Sequence, residues 1–241
     1  MQMRRLIVIF ILIVFNSAFS QDLYLKCGNR KIPCDNGNKD HFAMIIHCPY
    51  QETDTTKIPK TILDTARQYL LDRVGANFYN RIKFYSCQII DFKKYNAIKK
   101  EKPFIDKEIA DKRVKYALQY YFTVQGNMQY YLSLVYDKDG KFISEHFLPD
   151  RKTNKFFDKI IDVCKATQII EADSIFNGQV EEIYLEFSQT DNSFVWIALK
   201  PNIYEGPKTI ISRYIIINAT TGQLIKRKTA KGALAYSVPS F

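Results

Sequence analysis

Residues 193–229 read "SFVWIALKPNIYEGPKTIISRYIIINATTGQLIKRKT", and the fold turns on how this stretch is parsed. In "SFVWIALKP" (193–201), Phe194, Trp196 and Ala198 alternate with Val195, Ile197 and Leu199. Both faces are apolar, the pattern of an interior strand covered on each side. "TIISRYIIIN" (209–218) and "GQLIKRKT" (222–229) follow as two further strands. Between them, Asn218 starts a turn through its side-chain amide, and Gly222 supplies the left-handed conformation that completes it. Lys226, Arg227 and Lys228 crowd the last strand, a common means of stopping an edge strand from pairing with other molecules. The stretch therefore predicts an antiparallel sheet ending in a charged edge, and its closing hairpin is a sheet corner rather than an active site.

Upstream, "VKYALQYYFTV" (114–124), "MQYYLSLVYD" (128–137) and "KFISEHFL" (141–148) are separated by "QGN" and "KDG". Three β-rich runs joined by turn triplets predict an antiparallel meander. "DKDG" (137–140) has its glycine at the wrong position for an EF-type calcium loop, so it reads as a turn. "TILDTARQYLLDRVG" (61–75) carries Ile62, Ala66, Tyr69, Leu70 and Val74 at helical spacing, with Gly75 as a stop. "RIKFYSCQIIDFKKY" (81–95) reads as strand. In "RKTNKFFDKIIDVCKATQIIEAD" (151–173) a helical period returns: Phe157, Ile160, Ile161, Cys164 and Ile169 share a broad face, and Asp162 can cap a helix starting at Val163. "VEEIYLEFSQ" (180–189) is strand again. The fold class is α+β: antiparallel sheets with packed helices.

The order helix, strand, "FVW" strand and then "IIINATTGQLI" resembles a PepSY-like module of exported bacterial proteins. The residues that carry the resemblance are Val163, Ala166 and Ile170 on the helix, Tyr184, Leu185 and Phe187 on the next strand, Trp196, and the closing run Ile217 to Gly222. It covers about residues 155–230. The resemblance implies a cystatin-like unit, one helix packed on an antiparallel sheet, in proteins that restrain peptidases or sense at the cell envelope. The helix at 61–75 with its following strands offers a second, degenerate copy of the same plan. Two such halves and one composite body are both open readings.

The chain begins "MQMRRLIVIFILIVFNSAFSQD", with Arg4 and Arg5 ahead of an apolar run and Ala18-Phe19-Ser20 supplying small residues for cleavage. That layout predicts a secretory signal over 1–20. The apolar run is too short for a bilayer core, which needs about 20 residues. The expected location is the periplasm or the extracellular space, and no membrane span is expected in the mature chain. The remaining divisions are an irregular N-terminal segment at 21–60, a helix plus meander at 61–150 and a PepSY-like module at 151–241. With 17 Phe, 16 Tyr and only 9 Gly, the composition is globular rather than disordered. The formal charge of +10 is spread along the chain. With export expected, it reads first as a solvated, lysine-rich surface, and next as one suited to acidic partners, anionic cell-surface polymers or lipid head groups rather than nucleic acid.

Export permits disulfides. Cys27 and Cys34 flank the turn-rich "GNRKIP" and are the expected pair, with Cys164 expected as a buried apolar residue on its helix. Cys27, Cys34, His41, His47 and Cys48 match no compact zinc spacing, so no metal or cofactor is assigned. No nucleophile motif such as G-x-S-x-G occurs, and His146 reads as an exposed or edge residue on a strand. An enzyme would need dispersed groups such as His41 or His47 with Glu181 or Asp173. The expected function is a non-enzymatic exported binding or regulatory module with a protein partner. A structural envelope or surface protein is the alternative, and no catalytic residues are assigned.

Overall fold

Among the described residues strand outweighs helix, at 46% against 21%. The computed structural model describes residues 23–37, 51–52, 54–94, 114–205 and 209–233. The predicted signal, His41, His47, Cys48 and residues 234–241 lie outside the described residues.

Among the described residues, ten strands form two sheets. The first has four strands, β3 (Gln51–Glu52), β4 (Lys83–Ile90), β5 (Val114–Gln125) and β6 (Met128–Asp137), in that spatial order and antiparallel throughout. The second has six, in the order β1 (Leu23–Cys27), β2 (Arg30–Cys34), β7 (Glu182–Ser188), β8 (Ser193–Glu205), β9 (Thr209–Asn218) and β10 (Leu224–Ala233). Among the described residues its only parallel junction is β2 with β7, where Cys34 pairs with Ile183.

Two features correct the reading of the N-terminal segment. Within 21–60, read as irregular, the chain forms the β1–β2 hairpin, which extends the sheet of the C-terminal half. Cys27 is bonded not to Cys34 but to Cys164, and Cys34 is a free, buried thiol. The hairpin register gives the reason: it sets Cys27 opposite Arg30 and Cys34 opposite Leu23, so the two cysteines sit at opposite ends of the ladder. Burial pushes the Cys34 thiol up to about 11, which keeps it protonated and unreactive.

Helix α1 (Lys60–Tyr79) buries Ile62, Ala66, Leu70, Val74 and Phe78, one residue per turn. Gly75 breaks it with φ 76° and ψ 164°, after which Ala76–Tyr79 complete one more turn. Helix α2 (Val163–Glu171) starts at Asp162, whose carboxylate accepts the Lys165 N–H at 2.8 Å. Its buried face is Val163, Ala166, Thr167 and Ile170, packed on β1, β8 and β9. Burying each of the two larger aliphatic side chains there contributes about 1.5–3 kcal/mol. Cys164 lies on this helix and ties it to β1. Phe157 to Ile161 precede α2 without joining it. Ile161 donates its N–H to Ala219 at 2.8 Å and accepts the Trp196 indole at 3.1 Å, so tertiary bonds take the place of a helical ladder.

The sheets share one core. Phe194 of β8 lies 5.6 Å from Phe122 of β5 and 5.3 Å from Tyr130 of β6, ring centre to ring centre, and Phe78 of α1 closes on Phe122 and Phe157 at 5.0 and 5.1 Å. Residues 35–37 staple the sheets at the backbone. Asp35 donates to Ile183 at 3.1 Å, while Gly37 donates to Gln129 at 2.9 Å and accepts from Tyr131 at 3.0 Å.

The β9–β10 corner is built as its sequence predicts. The Asn218 side-chain oxygen accepts the N–H groups of Thr220 and Thr221, both at 2.9 Å, and Gly222 has φ 73°. Asn218→Ala removes both bonds, and we expect a loss of about 1 kcal/mol, read as a lower urea midpoint. By contrast, 141–148 does not form a third full meander strand. It pairs with β6 through a bridge from Tyr136 to Phe142 and a few separate hydrogen bonds rather than a ladder, with the turn held by Asp137 accepting from Asp139 and Lys141.

Candidate binding surfaces

A sheet edge offers a row of backbone donors and acceptors, so each edge of this protein is a possible contact surface unless something covers it. The edge of β6 is covered: Gly37 bonds to Gln129 and Tyr131, Ile143 donates to Val135 at 2.9 Å, and Ser144 Oγ accepts the Val135 N–H at 3.2 Å. β3 has two residues, and β1 has five and is held by the disulfide. β10 differs. It runs ten residues along the outer side of the six-stranded sheet, and β9 is the only strand paired with it among the described residues.

The side chains of β10 sort by charge and position. Leu224 and Ile225 at its start are 44% and 40% exposed, an apolar patch at the mouth of the hairpin. Lys226 and Lys228 are exposed, and neither has a carboxylate partner among the described residues. Arg227, between them, is engaged: its guanidinium grips the Asp173 carboxylate, and that hydrogen bond holds the Asp173 carboxyl below the usual range. The edge is thus a basic strand with one arginine pinned to the loop after α2.

Beneath that loop lies a layer of charge. Glu171 at the end of α2 accepts Arg30 through both oxygens at 2.7 Å and also the Val180 N–H at 2.7 Å. Lys200 of β8 is fully buried and donates to the Gly178 carbonyl. Burial lowers its pKa, while Glu171 and Asp173 act to keep it charged. Asp173, one of the dispersed groups considered for catalysis, is therefore the partner of Arg227. Glu181 is exposed and joins β8 through its backbone, its N–H donating to Leu199.

His146 is exposed, as expected, but on irregular chain rather than a strand. Its Nδ1 lies 2.7 Å from the Tyr69 hydroxyl, and its ring stacks on Tyr69 and Phe142. Burial, with Arg73 nearby, lowers the His146 pKa, and burial raises Tyr69 to about 12. The pair is a neutral imidazole hydrogen-bonded to a protonated phenol at neutral pH, an arrangement that locks α1 to the segment after β6. No group of three or more metal-ligating side chains occurs among the described residues. The lysines of the edge were legible in the sequence; the exposed apolar start of β10 and its Arg227–Asp173 clamp were not, because both depend on the hairpin register. Comparison with protein-family models, with curated proteins and with solved structures gave no match.

Proposed function

We propose that this chain is an exported, non-enzymatic binding module that holds an extended, acidic segment of a partner protein along β10. In this reading the architecture is α+β, with two helix-on-sheet halves of the PepSY and cystatin kind, and the captured segment belongs to a peptidase under restraint or to an envelope protein. The observation that carries it is the ten-residue outer edge of β10, which no strand but β9 pairs among the described residues, while the long edge of β6 is covered. Main-chain bonds along such an edge supply affinity, and side chains on alternate positions supply selectivity. Charge selects the occupant. Two copies of β10 pairing with each other would set lysines against lysines, whereas an acidic strand gains about 0.2–1 kcal/mol per opposite-charge pair. The same lysines that suppress self-association thus favour an acidic guest.

The test is capture of partners from envelope and culture-medium extract by immobilised 21–241, in parallel with Lys226→Glu/Lys228→Glu. The expected result is a saturable partner held by the native chain and weakened about tenfold or more by the double variant, equivalent to about 1.4 kcal/mol. Amides of 224–233 should exchange more slowly in the complex. A partner held equally by both proteins, with β10 exchange unchanged, refutes the edge as the binding surface.

A further inference from the structure

A separate surface lies where the loop after β6 crosses the break in α1. There a cleft of about 540 Å³ opens between Val74–Phe78 and residues 151–158. The volume suits a small molecule, whose sites span about 300–1,000 Å³. Three cations line it, Arg151, Lys152 and Lys155, against one acid, Asp158. None of the three cations is in an ion pair among the described residues. Val74 and Phe78 on one side and Phe157 on the other provide buried apolar walls.

The chain positions these cations deliberately. Gly75 adopts φ 76°, and a Cβ there would stand 2.5 Å from Arg151 Nη1. Only glycine lets the guanidinium lie against the helix break. Arg151 donates its N–H to Arg73 O at 2.9 Å, and Arg73 Nε in turn donates to Leu148 O at 2.7 Å. On the far side Asn192, at φ 45° in the β7–β8 turn, clamps the same loop. Its amide oxygen accepts the Asp150 N–H at 2.8 Å, its amide nitrogen donates to Asp150 O at 3.1 Å, and its carbonyl accepts Asn154 Nδ2 at 3.0 Å. A non-glycine residue at positive φ persists only where its surroundings over-determine it, as these bonds do. A loop whose backbone is fixed this firmly brings three like charges to one cleft with Asp158 as the one acid lining it, and that pre-organisation serves a bound anion.

We propose that this cleft binds a small molecule bearing a phosphate or sulfate ester, the oxyanion facing Arg151 and Lys155 and its body against Phe78 and Phe157. Arginine and lysine are the donors suited to such oxyanions, arginine through its planar fork. The site is independent of β10.

The test is calorimetric titration of 21–241 with glucose 6-phosphate and glucose 6-sulfate at low salt, the two arms distinguishing the ester. The expected result is a Kd of about 1 mM or tighter for at least one of them. Arg151→Ala and Lys155→Ala should each weaken it by about fivefold or more, and added salt should weaken it further. Lys226→Ala on β10 should leave it unchanged. All three positions are exposed, and thermal melts check that each variant is folded. Failure of both esters to bind at about 10 mM, or equal binding by the Arg151→Ala/Lys155→Ala double variant, overturns the proposal.

Discussion

Replacing Cys27 and Cys164 together by serine should lower the stability of the folded chain by about 3–5 kcal/mol. The bridge spans a sequence separation of 137 residues. In the chain-entropy account a loop of that size restricts the unfolded ensemble by close to 5 kcal/mol, which sets the upper figure. The native state adds its own reason: β1 is a five-residue edge strand, and the bridge fastens it to α2, which packs on β8 and β9. For a chain of this size the change corresponds to a fall in Tm of about 6–20 °C. Dithiothreitol should move the native protein the same way and leave the double variant unmoved. Cys34 is no substitute partner, since it is buried and its thiol donates to the Ile32 carbonyl at 3.3 Å. A variant melting within a degree or two of the native protein would show that the bridge is structurally idle.

Gly37→Ala should be the most damaging substitution of a small residue, costing about 3 kcal/mol or more. An added Cβ would stand 2.0 Å from the Leu185 carbonyl oxygen and 2.8 Å from Cδ2 of Tyr130. Neither neighbour can yield cheaply. Leu185 is in the β7–β8 ladder, paired with Trp196, and Tyr130 is fully buried with its hydroxyl bonded to Phe147 O at 2.8 Å. Because Gly37 also bonds to Gln129 and Tyr131, relief by backbone movement breaks the staple between the sheets. Urea unfolding checks this, and a loss under about 1 kcal/mol would mean that the two sheets can separate locally without cost.

What the sequence foretold, it foretold where local chemistry and tertiary environment agree. Asp162 caps α2, Asn218 and Gly222 build the last turn, and β9 occupies 209–218 as read, while Gly75, read as the stop of α1, interrupts it one turn before its end. What it concealed depends on long-range partners. The β1–β2 hairpin is short and contains Pro33, and its ladder makes sense only beside β7. Cys27 and Cys34 are near in sequence and apart in register, so proximity misled. The run 141–148 has strand composition, yet it keeps a bridge at Phe142 rather than a ladder because its hydrogen bonds to β6 come in part from the Ser144 side chain. The basic cleft draws on 74–78, 151–158 and Asn192, three segments with no shared motif.

The junction of β2 with β7 sets emergence order against assembly order. A chain delivered amino terminus first presents the β1–β2 hairpin before the elements it pairs with, but a lone two-stranded hairpin is marginal in water. Its strand partner, helix partner and disulfide partner all lie beyond residue 160. Folding therefore cannot proceed vectorially from the first strand onward; the carboxy-terminal meander must form before the beginning of the chain can dock. Contacts between segments so far apart in sequence slow folding, because the loop between them must close before they form. Until docking, Cys27 is a thiol without its mate, and the waiting hairpin is the part of the nascent chain most open to capture by wrong partners.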